Sequence, residues 1–235
     1  MDHRFARTEL VLGAECLTRL ASKKVAVVGV GGVGGYVVEA LARSAIGALV
    51  LVDYDLVSIT NLNRQIIALE STIGQAKVDV MAQRVLQINP DCKVSVHRVR
   101  YEKSMHQELI PANVDLIADA IDSVGAKADL IESAMQSRVP IISSLGAGNK
   151  LDPTYLEITD ISKTHTCPLA RAVRAALRKR GIFQGVPVVF SKEPPAGKGE
   201  GSVPGSTAFV PPAAGLLMAS WIVRQICKEA RHGPI

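Results

Sequence analysis

Residues 23–34 read Lys-Lys-Val-Ala-Val-Val-Gly-Val-Gly-Gly-Val-Gly, and the fold of the chain is decided in this stretch. Residues 25–28 are an unbroken apolar, mostly β-branched run, the pattern of a strand covered on both faces in a parallel sheet. Gly29, Gly31 and Gly34 follow in G-x-G-x-x-G spacing, and Gly32 and Gly35 leave the turn almost bare of side chains. Over 33–43 the periodicity becomes helical, with Val33, Val37, Ala40 and Leu41 on one face. A strand, a glycine turn and a helix N-terminus in succession make a phosphate site. The first glycine permits the tight turn, the second lets phosphate oxygens reach the backbone, and the third brings helix against strand. Alone the spacing would carry little weight, because glycine turns also arise for geometric reasons. Here the strand precedes it and the helix follows.

Outward from this turn, strand and helix alternate. Residues 48–53 form a second strand, and 54–73 lack a clean period, as a long loop with short turns does. Helical spacing returns over 74–88, where Val78, Met81, Val85 and Ile88 share a face and Asn89-Pro90 closes the helix. Strands are predicted over 93–99, 115–120 and 140–145, with a helix over 124–137. This alternation defines an α/β fold, a doubly wound and mostly parallel sheet. Beyond Asn149 the texture changes. Residues 154–161 alternate like an antiparallel strand, 169–180 form a basic helix, and 186–191 form a strand. Residues 193–207, rich in Pro, Gly, Lys and Glu, are expected to be a flexible surface loop, and Pro211-Pro212 to open a final helix. The C-terminal part thus adds antiparallel strands and helices to the sheet. Residues 4–22 form an amphipathic segment suited to packing on a neighbour.

The length of 235 residues fits one large α/β domain with a substantial core. With 27 Lys+Arg against 22 Asp+Glu the net charge is +5, which permits an anionic partner without demanding one. Cys16, Cys92, Cys167 and Cys227 lie far apart with no C-x-x-C pair. That spacing argues against a disulfide scaffold and a zinc knuckle, and suits a reducing cytosol. The N-terminus has no apolar h-region and the longest apolar stretch, 209–223, is broken by Pro211 and Pro212. A cytoplasmic protein with no membrane partner is therefore expected.

Two chemistries compete for the glycine turn. Asp53 ends the second strand at the spacing that holds ribose hydroxyls in dinucleotide-binding folds, so an NAD-dependent dehydrogenase is one reading. The residues after it favour another. Asp53-Tyr-Asp55 is followed by Asn61-Leu-Asn-Arg64-Gln65 and by Lys77. A dinucleotide carries about two phosphate charges, which a helix N-terminus can handle. A nucleoside triphosphate carries roughly four and needs metal and fixed cations. Arg64 offers a bidentate fork, Lys77 a point charge, and Asp122, at the end of a strand, a ligand for Mg2+. All three follow carboxyl ends of strands, where open α/β sheets bind ligands.

Taken together, residues 29–34, 53–55, 61–65, Gly74-Gln-Ala-Lys77 and Ala120-Ile-Asp122 resemble the adenylation domain of the ubiquitin-activating-enzyme superfamily, which includes ThiF, MoeB and HesA. The resemblance implies an ATP site in which Gly29, Gly31, Gly32 and Gly34 form the turn and Asp53, with Asp55 beside it, holds the ribose. Arg64 and Lys77 would hold phosphates, Asn61 and Gln65 would shape the pocket, and Asp122 would serve Mg2+ and the α-phosphate. Arg7 resembles the arginine that enters a neighbouring subunit's site, which implies a homodimer with Arg7, Arg64, Lys77 and Asp122 as its catalytic set. The whole chain, 1–235, is then a single adenylation-type domain, with a nucleotide-binding half over 1–150 and a substrate- and dimer-supporting half over 151–235.

The second half, with Thr166-Cys-Pro-Leu-Ala-Arg171, resembles the tRNA threonylcarbamoyladenosine dehydratase branch. That resemblance implies ATP-driven activation and cyclisation of the threonine carboxylate on the modified adenosine next to the tRNA anticodon. The alternative within the superfamily is an adenylyltransferase for a small sulfur-carrier protein, and the relatives that activate ubiquitin-like proteins usually carry two C-x-x-C pairs that this chain lacks. The residues themselves place Arg171, Arg174 and Arg178 on one helical face, with Lys179 and Arg180 at its end. Such a face suits a nucleic-acid backbone, while the bland reading is a solvated helix with basic residues favourable at its C-terminus. For Cys167 a structural role outweighs a sulfur-accepting one, because cyclisation needs no thiol; a cysteine desulfurase or sulfur-acceptor partner stays open. The two nucleotide readings separate in calorimetry. Mg–ATP is expected to bind and NADH to show negligible affinity, and micromolar NADH binding with no ATP binding would overturn the adenylation reading.

Overall fold

The computed structural model describes residues 3–196 and 204–228. Residues 197–203, the middle of the stretch expected to be a flexible loop, lie outside the described residues. The strands are β1 (Lys24–Val28), β2 (Ala48–Val52), β3 (Lys93–His97), β4 (Leu116–Asp119), β5 (Ile141–Leu145), β6 (Leu156–Asp160) and β7 (Pro187–Ser191). They form one seven-stranded sheet in the order β3-β2-β1-β4-β5-β7-β6. Strands β3, β2, β1, β4 and β5 pair in parallel, and β7 extends that sheet by pairing parallel with β5. β6 closes the edge antiparallel to β7. The C-terminal half therefore completes the sheet begun by the N-terminal half.

The apolar run of β1 works as its pattern requires. Val25 and Val27 enter one core cluster, and Ala26 and Val28 enter another on the opposite face. β2 divides likewise, Leu49 and Leu51 against Val50 and Val52. On the first face lie α2 (Ala14–Ser22), α3 (Gly34–Arg43), α4 (Lys77–Ile88) and α8 (Val210–Lys228), contributing Leu20, Leu41, Met81 and Ile222. On the second lie α5 (His106–Leu109), α6 (Val124–Gln136) and α7 (Pro168–Arg178), contributing Leu109, Leu130 and Val173. Period-2 strands between period-3.6 helices give three layers because each strand must bury both faces. The N-terminal segment is two helices, α2 and the preceding α1 (Ala6–Leu12), which buries no residue and leaves Leu10 80% and Val11 82% exposed. No helix among the described residues is long and apolar enough to cross a membrane.

Two features were not legible in the sequence. Cys16 on α2 and Cys227 on α8, 211 residues apart in sequence, are brought together with Cα atoms 5.1 Å apart. Nothing in the spacing marks this pair, because only the packing of α2 on α8 brings the two cysteines together. The second is a buried ion pair. Lys127 on α6 reaches Asp119 at the end of β4 at 2.8 Å, and both side chains are fully buried. Ser143 on β5 accepts from Lys127 at 3.1 Å and donates to Asp119 at 2.6 Å. Removing one partner strands a charge in the core, so Lys127→Met is expected to cost about 3–5 kcal/mol in urea unfolding. The double change Asp119→Leu with Lys127→Met should lose less, since neither charge remains; equal loss in both variants would show that packing rather than charge is at stake.

Candidate nucleotide-binding active site

A cavity of about 600 Å³ opens at the carboxyl ends of β1, β2, β4 and β5. Parallel strands put those ends on one side, so the loops that follow them share its walls. Gly29, Gly31, Gly32, Asp53, Asp55, Asn61, Arg64, Gln65, Lys77 and Asp122 all line it. Gly34 does not; a Cβ there would run into the carbonyl of Gly29, so its part is to seat α3 on the turn. Gly29 has φ +91°, and a Cβ on it would sit 2.7 Å from the Ala120 carbonyl oxygen. Arg7, exposed on α1, lies outside the cavity.

The acidic and basic residues are held by local hydrogen bonds. Asp53 accepts the Val30 N–H at 2.6 Å through one carboxylate oxygen and the Asp55 N–H at 2.9 Å through the other. It therefore fastens the glycine turn to the end of β2, and its carboxylate, which lines the cavity, keeps lone pairs for further donors. Lys77, at the first position of α4, has a side chain 6% exposed and pairs with Asp55 at 2.7 Å. Arg64 gives one terminal nitrogen to the Thr60 carbonyl at 2.9 Å and to Asn63 at 2.8 Å. Asn61 is buried and caps its own turn by accepting the Ser58 N–H at 3.1 Å. Asp122 is exposed to the cavity beyond β4. Its loop is anchored by Asp119, which accepts the Ile121 N–H at 3.0 Å. Gln65 is 6% exposed and its Oε1 has no hydrogen-bond partner among the described residues. A buried, unsatisfied amide oxygen needs a donor, such as the hydroxyl or amino group of a ligand, while the N–H groups of the glycine cradle beside it are what suits phosphate.

Further residues complete the walls, of which sequence reasoning missed Arg100, Tyr101, Ser144 and Lys150. Tyr54 and Arg100 stand together, the guanidinium 5.9 Å from the ring centroid. Tyr101 hydrogen-bonds His106 at 2.9 Å, and burial pushes its phenol up to about 12. Ser144, Lys150 and Cys167 form the wall beyond β5. Cys167 is 3% exposed and caps α7, its sulfur accepting the Ala170 N–H at 3.3 Å. The basic helix divides. Arg174 donates to the Thr164 carbonyl at 2.7 Å and to its hydroxyl, and Arg180 pairs with Asp129 at 2.6 Å and Glu132 at 3.4 Å. Both are occupied within the chain. Arg171, Arg178 and Lys179 are exposed, and Arg171 also borders a hollow of about 150 Å³ at the start of α7.

A doubly wound sheet whose strand ends gather a glycine turn, paired carboxylates and fixed cations defines a nucleotide-binding α/β protein, and the chain belongs to the ThiF family, whose family model matches residues 5–234. Over 97% of its length it is 44% identical to the tRNA threonylcarbamoyladenosine dehydratase of Bacillus subtilis, covering 96% of that protein. The solved structure of the Escherichia coli tRNA N6-threonylcarbamoyladenosine dehydratase in complex with ATP superposes with a TM-score of 0.93 at 37% identity, covering 98% of this chain and 96% of that one. The match to the molybdopterin-synthase adenylyltransferase of Salmonella typhimurium, 34% identical, extends over 53% of this chain and 49% of that protein.

Proposed function

We propose that this chain dehydrates threonylcarbamoyladenosine next to the anticodon of tRNA, using ATP to adenylate the threonine carboxylate. The observation that carries this reading is a single cleft that joins the nucleotide residues of the first half to walls from the second, in a chain resembling a dehydratase along its whole length. The molybdopterin-type likeness, by contrast, spans about half of it. In this reading residues 1–235 act as one adenylation-type domain, with 1–150 holding the nucleotide and 151–235 serving substrate and dimer.

The reaction proceeds by in-line attack of the substrate carboxylate on the α-phosphorus of ATP with departure of pyrophosphate. A group of the same substrate then captures the acyl-adenylate, closing the ring and releasing AMP. Asp53 holds the ribose, and Arg64 and Lys77 bear the charge that grows on the pyrophosphate, which is where fixed cations lower a barrier most. Mg2+ supplies further charge neutralisation, and Asp122 is the residue that would hold it; one carboxylate with substrate phosphates is a common set for that ion. The protein contributes positioning and electrostatics, with no covalent nucleophile. Cys167, buried as a helix cap, serves this reading as structure and not as a sulfur acceptor. A homodimer in the cytoplasm completes the proposal: Arg7 lies outside its own cavity on a helix with Leu10 and Val11 exposed, as a helix that packs on a partner would be.

Mass spectrometry of tRNA nucleosides after incubation with the protein and ATP tests the reaction. Conversion of the threonylcarbamoyl nucleoside to a product lighter by one water is expected, and intact starting nucleoside with a folded, ATP-binding protein would overturn it. In the same assay Arg7→Ala and Asp122→Ala should each be severely impaired, and their mixture should recover part of the activity, because one hybrid site is whole. The tRNA grip is expected to rest on Arg171, Arg178 and Lys179. Changing all three to Ala should flatten the slope of log K against log salt by about 2–3 units and leave ATP affinity alone. An unchanged slope would reduce the helix to a solvated face.

A further inference from the structure

Lys150 follows β5 and lines the cleft, yet it is only 3% exposed. Its Nζ donates to the backbone carbonyl of Glu193. The Glu193 carboxylate itself is turned to the backbone, accepting the N–H groups of Leu151 and Asp152 at 3.1 Å. Among the described residues no carboxylate forms an ion pair with Lys150. The other cations of the cleft differ: Lys77 pairs with Asp55, Arg100 lies against the face of Tyr54, and Arg64, hydrogen-bonded to Thr60 and Asn63, is partly exposed to solvent. A buried ammonium with one neutral acceptor is costly and calls for an anion. Burial lowers its pKa, with Cys167 and Glu193 acting in the opposite sense.

Its place says which anion. In the sheet, β5 is two strands from β1, about 10 Å at ordinary strand spacing, with β4 and the Asp122 loop between them. Arg64 and Lys77 follow β2, on the other side of the glycine turn. In the dehydratase reading the leaving phosphates meet Arg64 and Lys77 on the segments that follow β2, and Lys150 stands on the cleft wall that follows β5. We infer that Lys150 is the residue that receives the carboxylate of the substrate and holds it for adenylation, so that it selects a carboxylic acid over a neutral acyl group. This rests on the dehydratase reading, which supplies a carboxylate as the substrate group.

The test titrates the full-length protein, in the presence of a non-hydrolysable ATP analogue, with N6-threonylcarbamoyladenosine and with its methyl ester. The parent should bind the acid about 10- to 100-fold more tightly than the ester, the range for a hydrogen bond to a charged group. Lys150→Gln should bind the two alike, Lys150→Arg should recover most of the preference, and the ATP analogue should bind all three proteins equally. An acid preference kept in Lys150→Gln overturns the assignment and leaves the dehydratase reading standing. So does a parent that produces the dehydrated nucleoside yet does not distinguish acid from ester. Loss of ATP-analogue binding in Lys150→Gln also overturns it, by making the side chain structural. Failure of the dehydratase reading itself would show separately, as absence of the dehydrated nucleoside.

Discussion

At the carboxyl end of β1 three stretches of backbone meet with no room for a side chain between them. Gly29, with φ +91°, lies against the Ala120 carbonyl, and Gly34 lies against the carbonyl of Gly29. This contact fixes where α3 begins, how closely β4 follows β1, and which way the Ala120–Ser123 loop leaves the sheet. The neighbouring strand joins through Asp53, whose carboxylate takes the Val30 N–H at 2.6 Å. The nucleotide site is thus set by backbone geometry first, and its charged side chains are placed by the loops that the geometry directs.

Charge is distributed according to the cost of removing it from water. Where burial is complete the charges are paired and satisfied, as in Asp119, Lys127 and Ser143. Glu39 on α3 shows the same rule nearer the surface. Burial alone would raise its carboxyl, yet hydrogen bonds from Arg84 and Arg43 outweigh that and hold it below the usual carboxylate range. In the cleft the rule is relaxed, because a bound ligand can bring the missing partners. Among the described residues Gln65 has an unpartnered buried Oε1 and Lys150 only a neutral acceptor, and both line that space.

The C-terminal half is continuous with the nucleotide half. β7 extends the parallel sheet, α8 packs on α3 through Met218, Ala219 and Ile222, and α7 brings Cys167 and Leu169 to the cleft wall. Asn149, with φ 56°, accepts the Ala196 N–H at its carbonyl and the Gly205 N–H at its side chain, tying the wall to the chain on either side of residues 197–203. A substrate bound there would lie between residues drawn from both halves.

The periodicity of residues 25–28 and 48–52, the glycine spacing and the polar motifs after each strand determined the doubly wound sheet and all the cavity residues named from sequence except Gly34 and Arg7. Those signals are local: a strand's apolar run and a turn's glycines are written within a few residues of where they act. Tertiary structure alone decided the rest, because it depends on segments that meet only after packing. Cys16 finds Cys227, Arg174 is taken by Thr164 and Arg180 by Asp129, and Lys150 lies beside Glu193 and Cys167 with no ion pair among the described residues. A lysine in sequence carries no mark of whether its charge will be solvated, paired or buried, since that is fixed by which distant carboxylates the fold brings within reach.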